Sequence, residues 1–249
     1  MNSVRVNGID VHVAQLPPAG DRPAPATAVM IHGMAGDTLA SWYFTLAKPV
    51  ADAGLRVVTY DLRGHGRTQR PRTGYTLDDF VDDLDALLVA LDVTGPVHLL
   101  GNSFGGTIAF GYAIRRPEAV ATITTIESAP PTPAWFLRIA YRLSQAAQPG
   151  RRLAAARDFV GTTSVARELP ASRLPGDARI AAIDCPVLCV YGGHSRVGEL
   201  APDVRRLLPH AEVVVVPGER HSLLVDRPET VREVVLPWLL RHSPQEVVR

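Results

Sequence analysis

Short, mostly apolar runs constrain this chain before anything else does. Thr27–Ile31, Leu55–Thr59, Val97–Leu100, Val120–Ile126, Pro186–Val190 and Glu212–Val216 are each four to seven residues long and rich in aliphatic and β-branched side chains. Runs too short for a buried helix, and apolar without alternation, predict strands covered on both faces, as in a parallel sheet. Leu39–Ala53, Leu77–Leu91, Phe104–Arg115, Leu200–Leu208 and Pro228–Arg241 read as helices between them. Asp78, Asp79, Asp82 and Asp83 crowd the start of the second helix, where carboxylates suit its dipole and solvent. Before the parallel strands, Val4–Val6 and Ile9–Val13 alternate around Asn7-Gly8, the pattern of a tight antiparallel hairpin. The expectation is an α/β fold: an eight-stranded, mostly parallel sheet with helices on both faces.

One segment breaks the rhythm. From Pro131 to about Ala182 there is no strand signal, only two predicted helices, Ala134–Ala147 and Gly150–Val160, and then a stretch punctuated by Pro and Gly. Inserted between two parallel strands, it should lie as a short helical lid over the sheet's C-terminal edge, where open α/β sheets place ligands. The chain thus divides into a core, residues 1–130 and 183–249, and a lid, residues 131–182. The lid carries arginines at 138, 142, 151, 152, 157, 167, 173 and 179 against Asp158, Glu168 and Asp177. Two readings stand: a solvated amphipathic helix pair, or a dock for an anionic handle such as a CoA phosphate or an acyl-carrier protein. Trp135, Phe136 and Tyr141, with Phe159, are candidates for an apolar substrate pocket, and a small lid core accounts for them equally.

Charge excludes some partners. Lys plus Arg number 26 and Asp plus Glu 25, so no global field recruits nucleic acid or an anionic membrane. The uncharged stretch Pro96–Ile114 contains His98, Asn102, Ser103 and four glycines, which makes it a poor membrane span. With no basic segment and apolar run at the N-terminus, a cytoplasmic location is expected. Cys185 and Cys189, four apart on one strand, lie too far from each other to bond and read as small buried residues.

The chemistry is carried by loops that follow strands. Gly101-Asn-Ser-Phe-Gly-Gly106 joins the strand Val97–Leu100 to the helix that runs to Arg115. This is G-x-S-x-G in the setting that gives it meaning, with the serine hydroxyl lifted above the sheet edge and the helix N-terminus beneath it. It is no nucleotide loop: Ser103 stands where a dinucleotide fingerprint needs its second glycine, and Gly-Lys-Ser/Thr is absent. His32-Gly-Met-Ala-Gly36 and Asp61-Leu-Arg-Gly-His-Gly-Arg-Thr68 follow two other strands, and Gly218-Glu-Arg-His-Ser222 follows the last.

In this order the four segments resemble those of the α/β-hydrolase fold family, over essentially the whole chain. The resemblance implies that Ser103 is a nucleophile, that the backbone N–H groups of Met34 and Phe104 form an oxyanion hole, and that His221 is the general base. Asp61 and His65 then brace the turns. The family's acid usually ends a G-x-x-D turn after the strand before last, whereas this chain reads Gly192-Gly-His-Ser195. Asp184 precedes that strand and belongs to the opposite edge. Glu127 ends Val120–Ile126 on the active edge, where some members, haloalkane dehalogenases among them, carry their acid. The order Ser103, Glu127, His221 keeps the family's sequence. Glu199 and an acid-free Ser–His pair are the alternatives, as is a Glu127 that only holds loop backbone. His194, on the adjoining loop, is a further pocket candidate.

Such a set attacks an acyl carbon through a tetrahedral intermediate and an acyl-enzyme, with no cofactor or metal required. The expected function is hydrolysis of a carboxylic ester, lactone or thioester of a small to medium hydrophobic acyl group. A biosynthetic thioesterase, acyltransferase or cyclase acting on a CoA- or carrier-linked substrate is the nearest alternative. A non-hydrolytic enzyme or a ligand-binding receptor on the same fold is the next.

Overall fold

The computed structural model describes residues 2–20, 26–146 and 154–243. β1 (Asn2–Val6) and β2 (Ile9–Leu16) form the antiparallel hairpin. Its turn holds Asn7 and Gly8 at positive φ, the conformation these two residue types tolerate. β3 (Thr27–Ile31), β4 (Arg56–Tyr60), β5 (Val97–Asn102), β6 (Val120–Ile126), β7 (Val187–Gly192) and β8 (Glu212–Val216) complete an eight-stranded sheet of order β1-β2-β4-β3-β5-β6-β7-β8. β2 meets β4 antiparallel, and from β4 to β8 every neighbour is parallel. The loops after β3, β5, β6, β7 and β8 therefore share one edge.

Alternation within β3 shows why continuous apolarity was needed. Ala28 and Met30 pack into one core with Trp42, Leu46 and Val235, while Val29 and Ile31 pack into another with Phe80 and Ile108. The first core is covered by α1 (Ala40–Trp42), a π-helical stretch Tyr43–Ala47, α2 (Lys48–Asp52) and α11 (Pro228–Arg241). The second is covered by α3 (Leu77–Ala90) and α4 (Phe104–Arg115). The single helix expected over Leu39–Ala53 is thus interrupted. Pro49 lacks the N–H that would bond back to Thr45, and the backbone widens into a π turn ahead of it.

The acidic start of α3 is less uniformly solvated than expected. Asp79 forms a capping box with Thr76, and Asp78 and Asp82 bind Arg115 at the surface. Asp83 instead is buried and receives a fork of two 2.6 Å bonds from Arg63.

Between β6 and β7 lie α5 (Pro133–Ala146), α6 (Ala154–Thr162), α7 (Val165–Glu168) and α8 (Asp177–Ala181). The last two occupy the stretch read as merely punctuated. Ala147, the predicted helix start Gly150, Arg151 and Arg152 lie outside the described residues. Trp135, Phe136, Ile139 and Leu143 of α5 are buried in the same core as α4. The Glu168 carboxylate accepts from the N–H groups of Gly74 and Tyr75, which staples this segment to the approach to α3. The chain continues through α9 (Ala201–Leu207) and α10 (Leu223–Asp226). Burial pushes the Cys185 and Cys189 thiols up to about 11, as befits inert packing residues. No helix among the described residues is long and apolar enough to cross a membrane.

Candidate active site

Ser103 sits between β5 and α4 with φ 51° and ψ −120°, a conformation that costs a non-glycine residue roughly 1–3 kcal/mol. The surrounding glycines make the turn possible. A Cβ on Gly101 would lie 2.3 Å from the Gly106 backbone, and one on Gly105 would lie 2.1 Å from the Ile31 carbonyl oxygen. The Ser103 N–H donates to the Ile126 carbonyl at 2.8 Å, which pins the turn to the end of β6.

Glu127 follows on β6, also at positive φ, its N–H bonded to the Val190 carbonyl at 2.9 Å. The side chain is wholly buried. Oε1 accepts from the Gly192 N–H at 2.5 Å, and Oε2 accepts from the Ser195 hydroxyl and lies 3.0 Å from His221 Nδ1. Ser195 is in turn fixed by the Val197 N–H at 3.1 Å. Ser195, at the position where the sequence lacks the usual aspartate, thus donates to the Glu127 carboxylate at the end of the neighbouring strand. A carboxylate only accepts, so Nδ1 carries the imidazole proton and Nε2 presents a lone pair. That lone pair faces Nη1 of Arg142, at 2.8 Å. Among the described residues no hydrogen bond joins Nε2 to the Ser103 hydroxyl.

The loop after β3 lies beside Ser103. Neither the Met34 nor the Phe104 N–H meets a protein acceptor among the described residues, whereas those of Gly33, Ala35 and Ser103 do. The Gly33 N–H donates to Asp37 Oδ2 at 2.7 Å, and the Ala35 N–H to His65 Nε2 at 3.0 Å. Asp37 Oδ2 also accepts from the Asn102 amide at 3.1 Å, tying this loop to the serine turn. Asp37 escaped sequence reading because one aspartate in a loop carries no distinctive signal. His65 accepts from Ala35 and must be neutral to do so; burial pushes it down to about 3. His32, lowered by desolvation, accepts from the Leu62 N–H, and Asp61 accepts from the N–H groups of Leu39 and Arg67. These groups brace loops and none of them faces His221.

A cavity of about 420 Å³ opens above Ser103, with Met34, Phe104, Trp135, Tyr141 and His221 in its wall. Two predicted pocket residues lie elsewhere. Phe136 points into the core, one position round the helix from Trp135. His194 is exposed, its backbone N–H held by the Glu219 carbonyl at 2.9 Å, and it lines no part of this cavity. Glu199 is turned away onto Arg138, at 3.0 Å.

Among the described residues, the arginines of the 131–182 segment scatter over several sites, and Arg138 and Arg142 share one groove. Arg138 is taken by Glu199, Arg167 by Glu168, and Arg173 and Arg179 flank a groove beside α3 and α4. Arg142 alone among those described reaches the cavity, joined there by Arg196 from the loop after β7.

Comparison with known proteins gives this geometry a context. A family model described as alpha/beta hydrolase fold matches residues 29–158. The dihydrolipoyllysine-residue acetyltransferase component of an acetoin cleaving system from Pseudomonas putida is 28% identical over 240 residues, 86% of this chain. The chain spans only 63% of that relative's length. A thermophilic esterase from Thermogutta terrifontis superposes with a TM-score of 0.76 at 20% identity, covering 97% of both chains. The enol-lactonase from Burkholderia xenovorans LB400 gives 0.77 at 20% identity, covering 96% of this chain and 100% of its own.

Proposed function

The chain belongs to the α/β-hydrolase fold family, and on that premise we propose that it is a serine hydrolase of carboxylic esters, lactones or thioesters with a small to medium acyl group. Ser103 Oγ attacks the acyl carbon while His221 Nε2 takes its proton. The N–H groups of Met34 and Phe104 receive the developing oxyanion, each donor contributing about 10²–10³ in rate. Collapse expels the alcohol or thiol, protonated by His221, and water then releases the acyl group by the same steps in reverse. Glu127 holds the Nδ1–H tautomer and stabilises the imidazolium. The 131–182 segment acts as a lid, with α5 supplying Trp135, Ile139 and Tyr141 to the cavity wall.

The observation that carries this reading is the contact of the buried Glu127 carboxylate with His221 Nδ1, at 3.0 Å, on the sheet edge that also presents the strained Ser103. Glu127 makes no ion pair with Lys or Arg among the described residues and is wholly buried, so its contact with His221 is not an incidental surface one. A fluorophosphonate followed by intact mass measurement tests the assignment. One adduct is expected on the wild type, none on Ser103→Ala, and slowed labelling on His221→Ala. Folded wild type that takes no adduct removes the hydrolase reading in favour of a receptor or a non-hydrolytic catalyst.

A carrier- or CoA-linked substrate is a second reading, favoured by one feature. A groove of about 510 Å³ lined by the exposed Leu137, Arg138 with its partner Glu199, and Arg196 adjoins the cavity and shares Tyr141, Arg142 and Arg196 with it. Turnover of CoA thioesters that falls with salt more steeply than turnover of neutral esters supports it; equal salt dependence removes it.

A further inference from the structure

Arg142 Nη1 occupies the one atom of His221 on which the proposed chemistry depends. A guanidinium has donors and no acceptors, so this contact uses the Nε2 lone pair that must take the serine proton. It also sets a fixed positive charge 2.8 Å from a ring that has to become positive in the transition state. Left in place, Arg142 opposes acyl transfer twice over.

The surroundings of Arg142 are those of a cation awaiting a partner. No carboxylate lies within ion-pair distance of it among the described residues, although Arg138, one turn earlier on α5, is paired with Glu199. The described wall of the cavity contains Arg142 and Arg196 and neither Asp nor Glu. Desolvation lowers Arg142 from its ordinary value, and the Glu127 carboxylate on the far side of His221 offsets only part of this. A neutral imidazole nitrogen is a weaker acceptor for a guanidinium than a carboxylate, which binds it through two parallel charged bonds.

We propose that Arg142 is a substrate-operated latch: it holds His221 Nε2 in the free enzyme and swings onto a carboxylate of the substrate, releasing the base to Ser103. The inference rests on the hydrolase reading above and narrows it. The preferred substrate is an ester, lactone or thioester that bears a carboxylate within a few bonds of the scissile carbonyl, because the guanidinium that must reach it starts beside the base. Neutral esters fit the same cavity but leave the latch closed. Exchanging the imidazole for a carboxylate partner replaces a weak bond by charged ones, and a charged hydrogen bond contributes about 1.5–3 kcal/mol, or roughly 10–100-fold. Specificity and activation then share one residue.

The test compares mono-4-nitrophenyl glutarate with its neutral methyl ester, and wild type with Arg142→Met, alongside labelling by an uncharged alkyl fluorophosphonate. Arg142 is an exposed residue of α5, so its replacement leaves the fold intact. The latch predicts that wild type prefers the carboxylate ester in kcat/KM by about 10–100-fold. Arg142→Met loses that preference, mainly through slower turnover of the acid, while it takes the uncharged fluorophosphonate faster than wild type does. Labelled Ser103 with no preference for the acid, with a preference that survives Arg142→Met, or with labelling slowed by that substitution overturns the latch and leaves the hydrolase standing. Absence of labelling at Ser103 in both proteins overturns the hydrolase reading and the latch together.

Discussion

Replacing Glu127 by glutamine changes one oxygen for an NH₂ and nothing else in size, which isolates the role of the buried carboxylate. Three donors converge on it: the Gly192 N–H at 2.5 Å, the Ser195 hydroxyl, and His221 Nδ1 at 3.0 Å. Glutamine has one acceptor oxygen to offer them. If that oxygen stays on Gly192, the NH₂ group faces Ser195 and His221, and Nδ1 has to become an acceptor. The imidazole proton then moves to Nε2, and the ring can no longer take a proton from Ser103. The opposite flip sets NH₂ against the Gly192 N–H in a site with no solvent access, which is worse. The first arrangement wins, with the exposed Arg142 turning off the newly protonated Nε2 into solvent, and wrong-tautomer losses run to about 10⁴ in kcat, or about 5 kcal/mol of barrier. The disturbed hydrogen bonds cost about 1–3 kcal/mol of stability, which a domain of this size survives with a melting point lower by several degrees. The assay is kcat for 4-nitrophenyl ester hydrolysis beside a circular dichroism melt. A native melt with kcat within about tenfold of wild type refutes the reasoning, and the acid-free pair or Glu199 takes its place.

Other consequences follow from the same contacts. Ser195→Ala removes a donor to Glu127 and an acceptor from the Val197 N–H; kcat should fall by roughly 5–30-fold with KM unchanged, and a change confined to KM contradicts this positioning role. Gly105→Ala drives a methyl to 2.1 Å from the Ile31 carbonyl oxygen, while Gly161→Ala in α6 meets nothing within 4 Å. Urea unfolding should show the first destabilised by about 3 kcal/mol or more and the second level or raised by up to about 1 kcal/mol; similar values for both would contradict the packing of the elbow. Burial keeps His32, His65 (about 3) and His98 (about 4) below their ordinary 6.5. The unfolded chain therefore binds more protons as pH falls below 6.5, and stability present at neutral pH is lost toward pH 4, at up to about 1.4 kcal/mol per pH unit each for His65 and His98, with His32 acting in the same direction. Urea midpoints at pH 7, 6 and 5 check this, and a flat profile contradicts it.

Much of the architecture was legible because burial on both faces leaves a strong imprint on short segments. The six parallel strands are short, mostly apolar runs, although the last, β8, is an edge strand that is only partly buried, and the hairpin is announced by Asn7-Gly8. The serine turn was legible for a steric reason: Gly101 and Gly105 stand where a side chain would strike the backbone. Glu127 was nominated because a residue ending β6 shares an edge with Ser103 and because some members of the resembled family carry their acid there. What escaped was long-range or side-chain-specific. Arg142 and His221 are 79 residues apart, and nothing local distinguishes Arg142 from the seven other arginines of its segment. Ser195 reads as a lost acid in the sequence and as a hydroxyl bound to Glu127 in space. Phe136 and His194 were nominated by residue type and loop position. One helical step carries Phe136 into the core, and a backbone bond to Glu219 holds the loop with His194 outside.

The central claim is that Ser103 forms a covalent acyl intermediate. Rapid mixing with 4-nitrophenyl acetate, an acid quench and the mass of the peptide carrying Ser103 test it most directly. The account predicts an acetylated Ser103 peptide that appears with the first release of 4-nitrophenolate and is absent, along with turnover, in Ser103→Ala. Turnover that persists in Ser103→Ala, or an acetyl group found on another residue of the wild type, would contradict it.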